Sequence, residues 1–158
     1  LDLVQAGFHP GCGYESGSVE ENTSALVGAL RHPLVDIIVH PGNPNYPVDV
    51  KRLVEAAAAE GKALEINNAS YVYTRSGSRE NDLAIAREAA ERGALLTVGS
   101  DAHIADFAGE FTHAIEIIEE AGVPPDAVVN RDLGSLRIFL ERRGKSLVLE
   151  EEAGRDRY

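Results

Sequence analysis

The segment VGSDAHIADFAGEF, Val98 to Phe111, puts a carboxylate and an imidazole one residue apart, directly after a short apolar run from Ala94 to Val98. In extended backbone the side chains of residues i and i+2 point to the same side, so Asp101 and His103 can face one site. Imidazole and carboxylate together are a donor set for zinc, manganese or iron. Other apolar runs of the chain stop in a similar way. AGFHPG carries His9, VHPGNPNY carries His40, and LEINNAS carries Glu65, Asn67 and Asn68.

Apolar runs alternating with helical patterns must position these residues. LDLVQAGF, VDIIVH, KALEINN and ALLTVGS are predicted as four strands. GSVEENTSALVGALRH is predicted as a helix, with Ser18 and Glu21 at capping-box spacing. VDVKRLVEAAAAEG is a second helix, with Val50, Leu53, Val54, Ala57 and Ala58 on one face and Gly61 closing it. ENDLAIAREAAERG is a third, closed by Gly93. FAGEFTHAIEIIEEAG is a fourth, with Phe107, Phe111, Ala114, Ile115 and Ile118 as its apolar face. AVVN then leads into RDLGSLRIFLERRG, and a charged tail over residues 150–158 is expected to fray.

Successive strand–helix units with near-continuous apolar strands predict an α/β fold, a parallel sheet covered by helices. A (β/α) barrel, or part of one, is the first expectation and a doubly wound open sheet the second. In both, functional residues belong at the C-terminal ends of the strands. Neighbouring parallel strands lie about 4.8 Å apart, so the strand ends would gather His9, His40, Asp101 and His103 into one pocket. Taken singly, each has a structural explanation: HPG as a turn, Asp101 as a helix cap. Three histidines and an aspartate at equivalent ends of three strands favour the metal reading.

The remaining candidates divide by placement. His113 faces away from the apolar side of its helix and is expected in solvent, and His32 falls at a helix end, where a cation is favoured. Cys12 follows His9 by three residues and reads as a free loop thiol. YTRSGSREND carries Arg75 and Arg79 before the third helix, where exposed amides and a guanidinium can bind an anion. Arg75 is a candidate contact for a phosphate, a solvated loop being the alternative, and Arg79 is expected to be solvated. Asn67 and Asn68 can orient ligands or substrate, or serve the turn. Glu65 is expected one step inside its strand, as a buried partner.

The chain has 158 residues, enough for one domain with a substantial core, drawn here as residues 1–149 followed by the tail. Its formal net charge of -11 argues against wrapping nucleic acid or gripping anionic lipid. An anionic substrate stays open, because metal ions can reverse the field within one cleft. Cys12 is the only cysteine, so no intrachain disulfide forms and a cytoplasmic setting is expected. No apolar run reaches membrane-spanning length, and the opening does not read as a signal peptide. The chain opens on Leu1 as though a strand were already under way, and it holds no methionine. Both features lead to the expectation of a longer protein.

In this order, AGFHP, VHPGNPNY, ALEINNAS, YTRSGSREN and VGSDAH resemble the C-terminal part of the PHP (polymerase and histidinol phosphatase) superfamily. The likeness is closest to the YcdX-type bacterial phosphatases and runs over nearly the whole chain, through GEF, PP and FLERRG. The resemblance implies the C-terminal part of a distorted (β/α)7 barrel with outer helices. It also implies a trinuclear metal site of zinc, or of manganese or iron, and hydrolysis of a small phosphorylated substrate by a metal-bound hydroxide. By motif, His9 and His40 look like ligands to one metal, Asp101 to a second and His103 to a third. Asp101 and His103 are then the catalytic centre, with Arg75 and Asn67 on the substrate.

The chain departs from the family pattern at its start. The family opens on H-x-H, a further histidine, a D-H turn and a bridging glutamate, and none of these precedes His9 here. The expectation is that the missing ligands come from an N-terminal segment of the same or another chain, that this polypeptide alone is inactive, and that it tends to aggregate or pair, a homo-oligomer being one outcome. Two alternatives remain at this point: a non-catalytic PHP-like scaffold or binding module, and a PHP nuclease domain associated with a DNA polymerase.

Overall fold

The computed structural model describes residues 2–71 and 75–146. Leu1, Tyr73 and Thr74 of the arginine-bearing loop, residues 147–149 at the end of the predicted domain and the tail over 150–158 lie outside the described residues. The elements are β1 (Gln5–Ala6), α1 (Val19–Arg31), β2 (Ile37–Ile38), α2 (Val50–Glu60), β3 (Ala63–Asn67), α3 (Ser78–Arg92), β4 (Leu95–Gly99), α4 (Thr112–Glu120) and α5 (Leu133–Arg142). The strands form one parallel sheet in the order β1-β2-β3-β4. Val128 bridges to Leu96 in parallel at the outer side of β4. The expected α/β class and parallel sheet are therefore present. A run of strands in chain order is consistent with part of a barrel wall, and the described residues do not close one. Among them no helix is long and apolar enough to cross a membrane.

Local chemistry starts and stops the helices. Ser18 and Glu21 form the reciprocal capping box at the start of α1. Asp49 and Asp132 accept backbone N–H groups at the starts of α2 and α5. Gly61 and Gly93 take the left-handed conformation that ends α2 and α3.

Alternation along the strands divides the core in two. Ile38, Leu64, Ile66 and Leu96 pack under the apolar faces of α1 to α4, which lie against one another in sequence. Ile37, Ala63 and the partly buried Leu95 face the opposite side, where Phe139 and Leu140 of α5 cover them. Helices α1 to α4 thus cover one face of the sheet, while α5 fills the other face at the N-terminal ends of the strands. Above α5 on that face stand Glu65, Thr97 and Asn67, all buried.

Two sequence expectations change. The first two strands are shorter than predicted, because carboxylates interrupt their ladder. The Val4 N–H goes to Asp36 Oδ2 at 2.7 Å, and the His40 N–H goes to Glu65 Oε2 at 2.8 Å. The fourth helix starts at Thr112, not near Phe107. Residues Ala105–Phe107 form a 3₁₀ turn, and Gly109 at φ +83° redirects the chain. The buried face of α4 is Ala114 and Ile117, whereas Ile115 is exposed. Asn68 fixes this start: its Oδ1 accepts the N–H groups of His113 and Ala114 at 2.9 and 3.1 Å. A cap supplied from the end of β3 leaves no local signal in the helix's own sequence.

Candidate functional site

The C-terminal ends of β1 to β4 carry His9, His40, Glu65 with Asn67, and Asp101 with His103. At Gly7 an added Cβ would press on Val39 and His40, and this close approach of β1 to β2 brings His9 against His40. Their rings meet edge to face with centroids 4.6 Å apart. His9 is exposed and His40 buried. The His40 Nε2 is buried without a hydrogen-bond partner. Burial first, then the charges of Arg75 and His9, pushes the His40 imidazole down to about 4, so at neutral pH the ring is uncharged and one of its two nitrogens offers a lone pair.

His40 and Asp101 share a second property. Among the described residues they are the two non-glycine positions with positive φ, at 36° and 48°. Backbone held in this sparsely populated region clusters at functional sites. It turns both side chains out of the alternation that their strands would impose.

A continuous polar network joins these ends. Glu65 Oε2 accepts from the His40 N–H and, at 3.3 Å, from Asn67 Nδ2. Asn67 Oδ1 accepts from the Ser70 N–H and hydroxyl, each at 3.0 Å. Arg75 Nη1 donates to Ser70 Oγ at 3.1 Å and to Asp101 Oδ2 at 3.2 Å. Asn67 thus turns its amide into the network that supports Arg75. Burial pushes the Glu65 carboxyl up, against the His40 N–H and the Asn67 amide, which hold it down. His103 is exposed, with Nδ1 2.8 Å from the Asp101 carbonyl. Since a carbonyl only accepts, Nδ1 carries the proton and the Nε2 lone pair is left outward, as in a metal-ready imidazole.

The four expected ligands therefore form two pairs, His9 with His40 and Asp101 with His103, linked through Arg75. Among the described residues no three His, Cys, Asp or Glu side chains converge closely enough to hold one metal ion. The orphaned His40 nitrogen and the free His103 Nε2 nevertheless have the chemistry that zinc, manganese or iron takes.

The remaining candidates fall as follows. Cys12 is an exposed free thiol. His32 caps the C-terminus of α1 in solvent. His113 is exposed beside Glu116. Arg79 pairs with Glu120 at 2.7 Å on the surface. Ser70 escaped sequence reasoning because its role depends on contacts with Asn67 and Arg75 in folded space. So did Asp82, which lies under the His40–Pro44 loop. Tyr71 donates to Asp82 at 2.6 Å, and the Cβ absent from Gly42 would overlap its other oxygen. Burial raises the Asp82 carboxyl to about 7.

Gly99 keeps the site open. A Cβ there would overlap Glu65 Oε1. Gly99→Ala should displace Glu65 and free the His40 N–H. The expected loss of stability is about 1–3 kcal/mol, from overpacking and a lost buried hydrogen bond. Denaturant unfolding measures the loss, and faster exchange of the His40 amide reports its origin. An unchanged His40 amide would show that Glu65 adapts in place.

No family model matches the chain. It is 43% identical over 152 residues to a probable phosphatase of Thermoanaerobacter sp. (strain X514), covering 96% of this chain and 62% of that protein. It is 44% identical over 153 residues to a probable phosphatase of Shewanella pealeana, covering 97% and 61%. A probable phosphatase of Shewanella frigidimarina is 47% identical over 148 residues, covering 93% and 59%. The chain spans about three-fifths of the length of these curated relatives.

Proposed function

We propose that the chain is the C-terminal part of a metal-dependent phosphatase of the PHP kind, a portion of a (β/α)7 barrel whose strand ends carry the reaction. The observation that carries the reading is the buried, unpartnered Nε2 of His40, on a strand-end residue held at positive φ. Similarity to probable phosphatases supports phosphate-ester hydrolysis as the chemistry.

His9 and His40 would hold one ion through their imidazoles. Asp101 and His103 would take part in holding others, and the remaining ligands would come from the part of the relatives that this chain does not span. Zinc, manganese or iron bound there would supply an electrophile for the phosphoryl oxygens and lower the pKa of an attacking water. Arg75 would bind the phosphate, held toward it by Ser70 and Asn67, and would neutralise charge as the P–O ester bond breaks. Asn67 would border the substrate from the same network.

The test uses a protein extended to the relatives' full length. His40→Ala should remove bound metal and turnover together. Arg75→Ala should keep the metal and raise KM for a phosphate monoester about tenfold or more, as expected for loss of a charge-assisted contact. Metal analysis and steady-state kinetics read both. Metal loss on Arg75→Ala, or full metal content in His40→Ala, would contradict these assignments.

A further inference from the structure

A cleft of about 510 Å³ opens beside Asp101 and His103, between the end of β3 and the segment that follows β4. Ala69, Ala102, Ile104 and Phe107 give it apolar walls. Ile104 is 56% and Phe107 39% exposed, although both are large apolar residues. We propose that this cleft seats the organic part of the phosphate ester, and that this part is a compact apolar or aromatic group, not a sugar. The proposal rests on the phosphatase reading above and adds the substrate class.

Three features support that occupant. The cleft is continuous with Asp101, which Arg75 engages, so a phosphate held by Arg75 would direct its ester group past Asp101 toward Ile104 and Phe107. The walls are shaped beforehand. The 3₁₀ turn closes with Phe107 N–H to the Ile104 carbonyl at 3.2 Å and Ala108 N–H to the Ala105 carbonyl at 3.1 Å. Several polar atoms around the cleft also have other work. Asn68 Oδ1 caps α4, Glu110 accepts the Thr112 N–H at 2.8 Å, and His103 Nδ1 faces the Asp101 carbonyl. Along the walls formed by Ala69, Ala102, Ile104 and Phe107 a polyhydroxylated ligand would lose water with few side-chain partners in exchange. A flat apolar group suits a mostly apolar cavity of ordinary ligand size.

Non-hydrolysable probes separate this proposal from catalysis. Methylphosphonate, phenylphosphonate and 2,3-dihydroxypropylphosphonate are titrated by NMR into the protein extended to the relatives' full length, with zinc added. Phenylphosphonate should bind about tenfold or more tighter than methylphosphonate, the range that apolar pockets achieve for added apolar surface. The dihydroxypropyl probe should gain nothing over methyl. Ile104→Ala and Phe107→Ala, both at exposed positions outside the proposed catalytic set, should each reduce the phenyl preference and leave methylphosphonate binding unchanged. Equal affinity for phenyl and methyl probes overturns the proposal. So does a preference unaffected by either substitution, a tighter polyol probe, or no measurable phenylphosphonate binding. A retained phenyl preference with no hydrolysis in the complete protein would remove the phosphatase reading and leave the apolar ligand cleft standing.

Discussion

Asp36→Ala should destabilise the protein by about 3–5 kcal/mol, the range for removing one partner of a buried ion pair. Asp36 is fully buried at the N-terminal end of β2 and is held by Lys145 and, at 3.4 Å, by Arg143. It also accepts the Val4 N–H. One carboxylate therefore ties the segment after α5 to the bottom of the sheet and to the strand entering β1. Arg143 extends the tie to the carbonyls of Pro33 and Val35, at 3.1 and 3.2 Å. Lys62 lies close enough for Arg143 and Lys145 to depress its pKa further, after burial. Without Asp36 these cations face one another with no carboxylate between them. Domains are stable by only about 5–15 kcal/mol, so the variant should be close to unfolding at room temperature.

Acidity should act on the same lock. Burial pushes the Asp36 carboxyl up, but Lys145, the Val4 N–H and Arg143 outweigh it and hold the pKa below its ordinary value. The group's stabilisation is thus complete above the unfolded pKa of about 4 and fades as the pH falls through the lower folded value. Denaturant unfolding of both proteins at pH 7 and pH 3 checks this. The difference should be large at pH 7 and shrink in acid. A difference under about 1 kcal/mol at pH 7, the size of a surface pair, would show that the cluster is not a lock.

The second large effect concerns the metal. Only Asp101 carries charge among the four proposed ligands, and its carboxylate is shared with Arg75. Two or more cations at bonding distance repel strongly and need carboxylates to hold them. The 158-residue chain alone should therefore take up little zinc or manganese in equilibrium dialysis. Supplying the remaining two-fifths of the relatives' length, in the same chain or as a second one, should restore tight uptake. Asp101→Ala should then weaken it again. Tight, multi-ion uptake by the 158-residue chain would mean that its own residues complete the site.

How much of this was legible in the sequence follows from the range of each interaction. The capping box of α1 and the glycines that close α2 and α3 act within a few residues, and they stand where the sequence places them. The strand-end placement of His40 and Asp101 was also legible, since the ends of apolar runs mark it. Their positive φ was not. Nor was the Asp36 lock, whose cationic partners are more than 100 residues away. FAGEF carries helical periodicity, which drew Phe107 into a helix that begins only at Thr112. The competing signals were Gly109 and a cap from Asn68, 45 residues earlier. The cleft beside Asp101 leaves no local signal for the same reason: its Phe107 wall stands in a segment with helical periodicity.

The proposed function assigns these strand ends to a phosphate-ester hydrolase completed by a further segment. The direct measurement is turnover of p-nitrophenyl phosphate, with zinc or manganese, by the 158-residue chain alone, by the protein of full relative length, and by that protein carrying Asp101→Ala. The expected result is negligible turnover by the chain alone, robust turnover by the complete protein, and a loss of about a thousandfold with Asp101→Ala, at the upper end for removing a group that stabilises the transition state. Robust turnover by the 158-residue chain that Asp101→Ala abolishes would contradict the incompleteness of the site. Turnover by the complete protein that Asp101→Ala leaves unchanged would contradict the site itself.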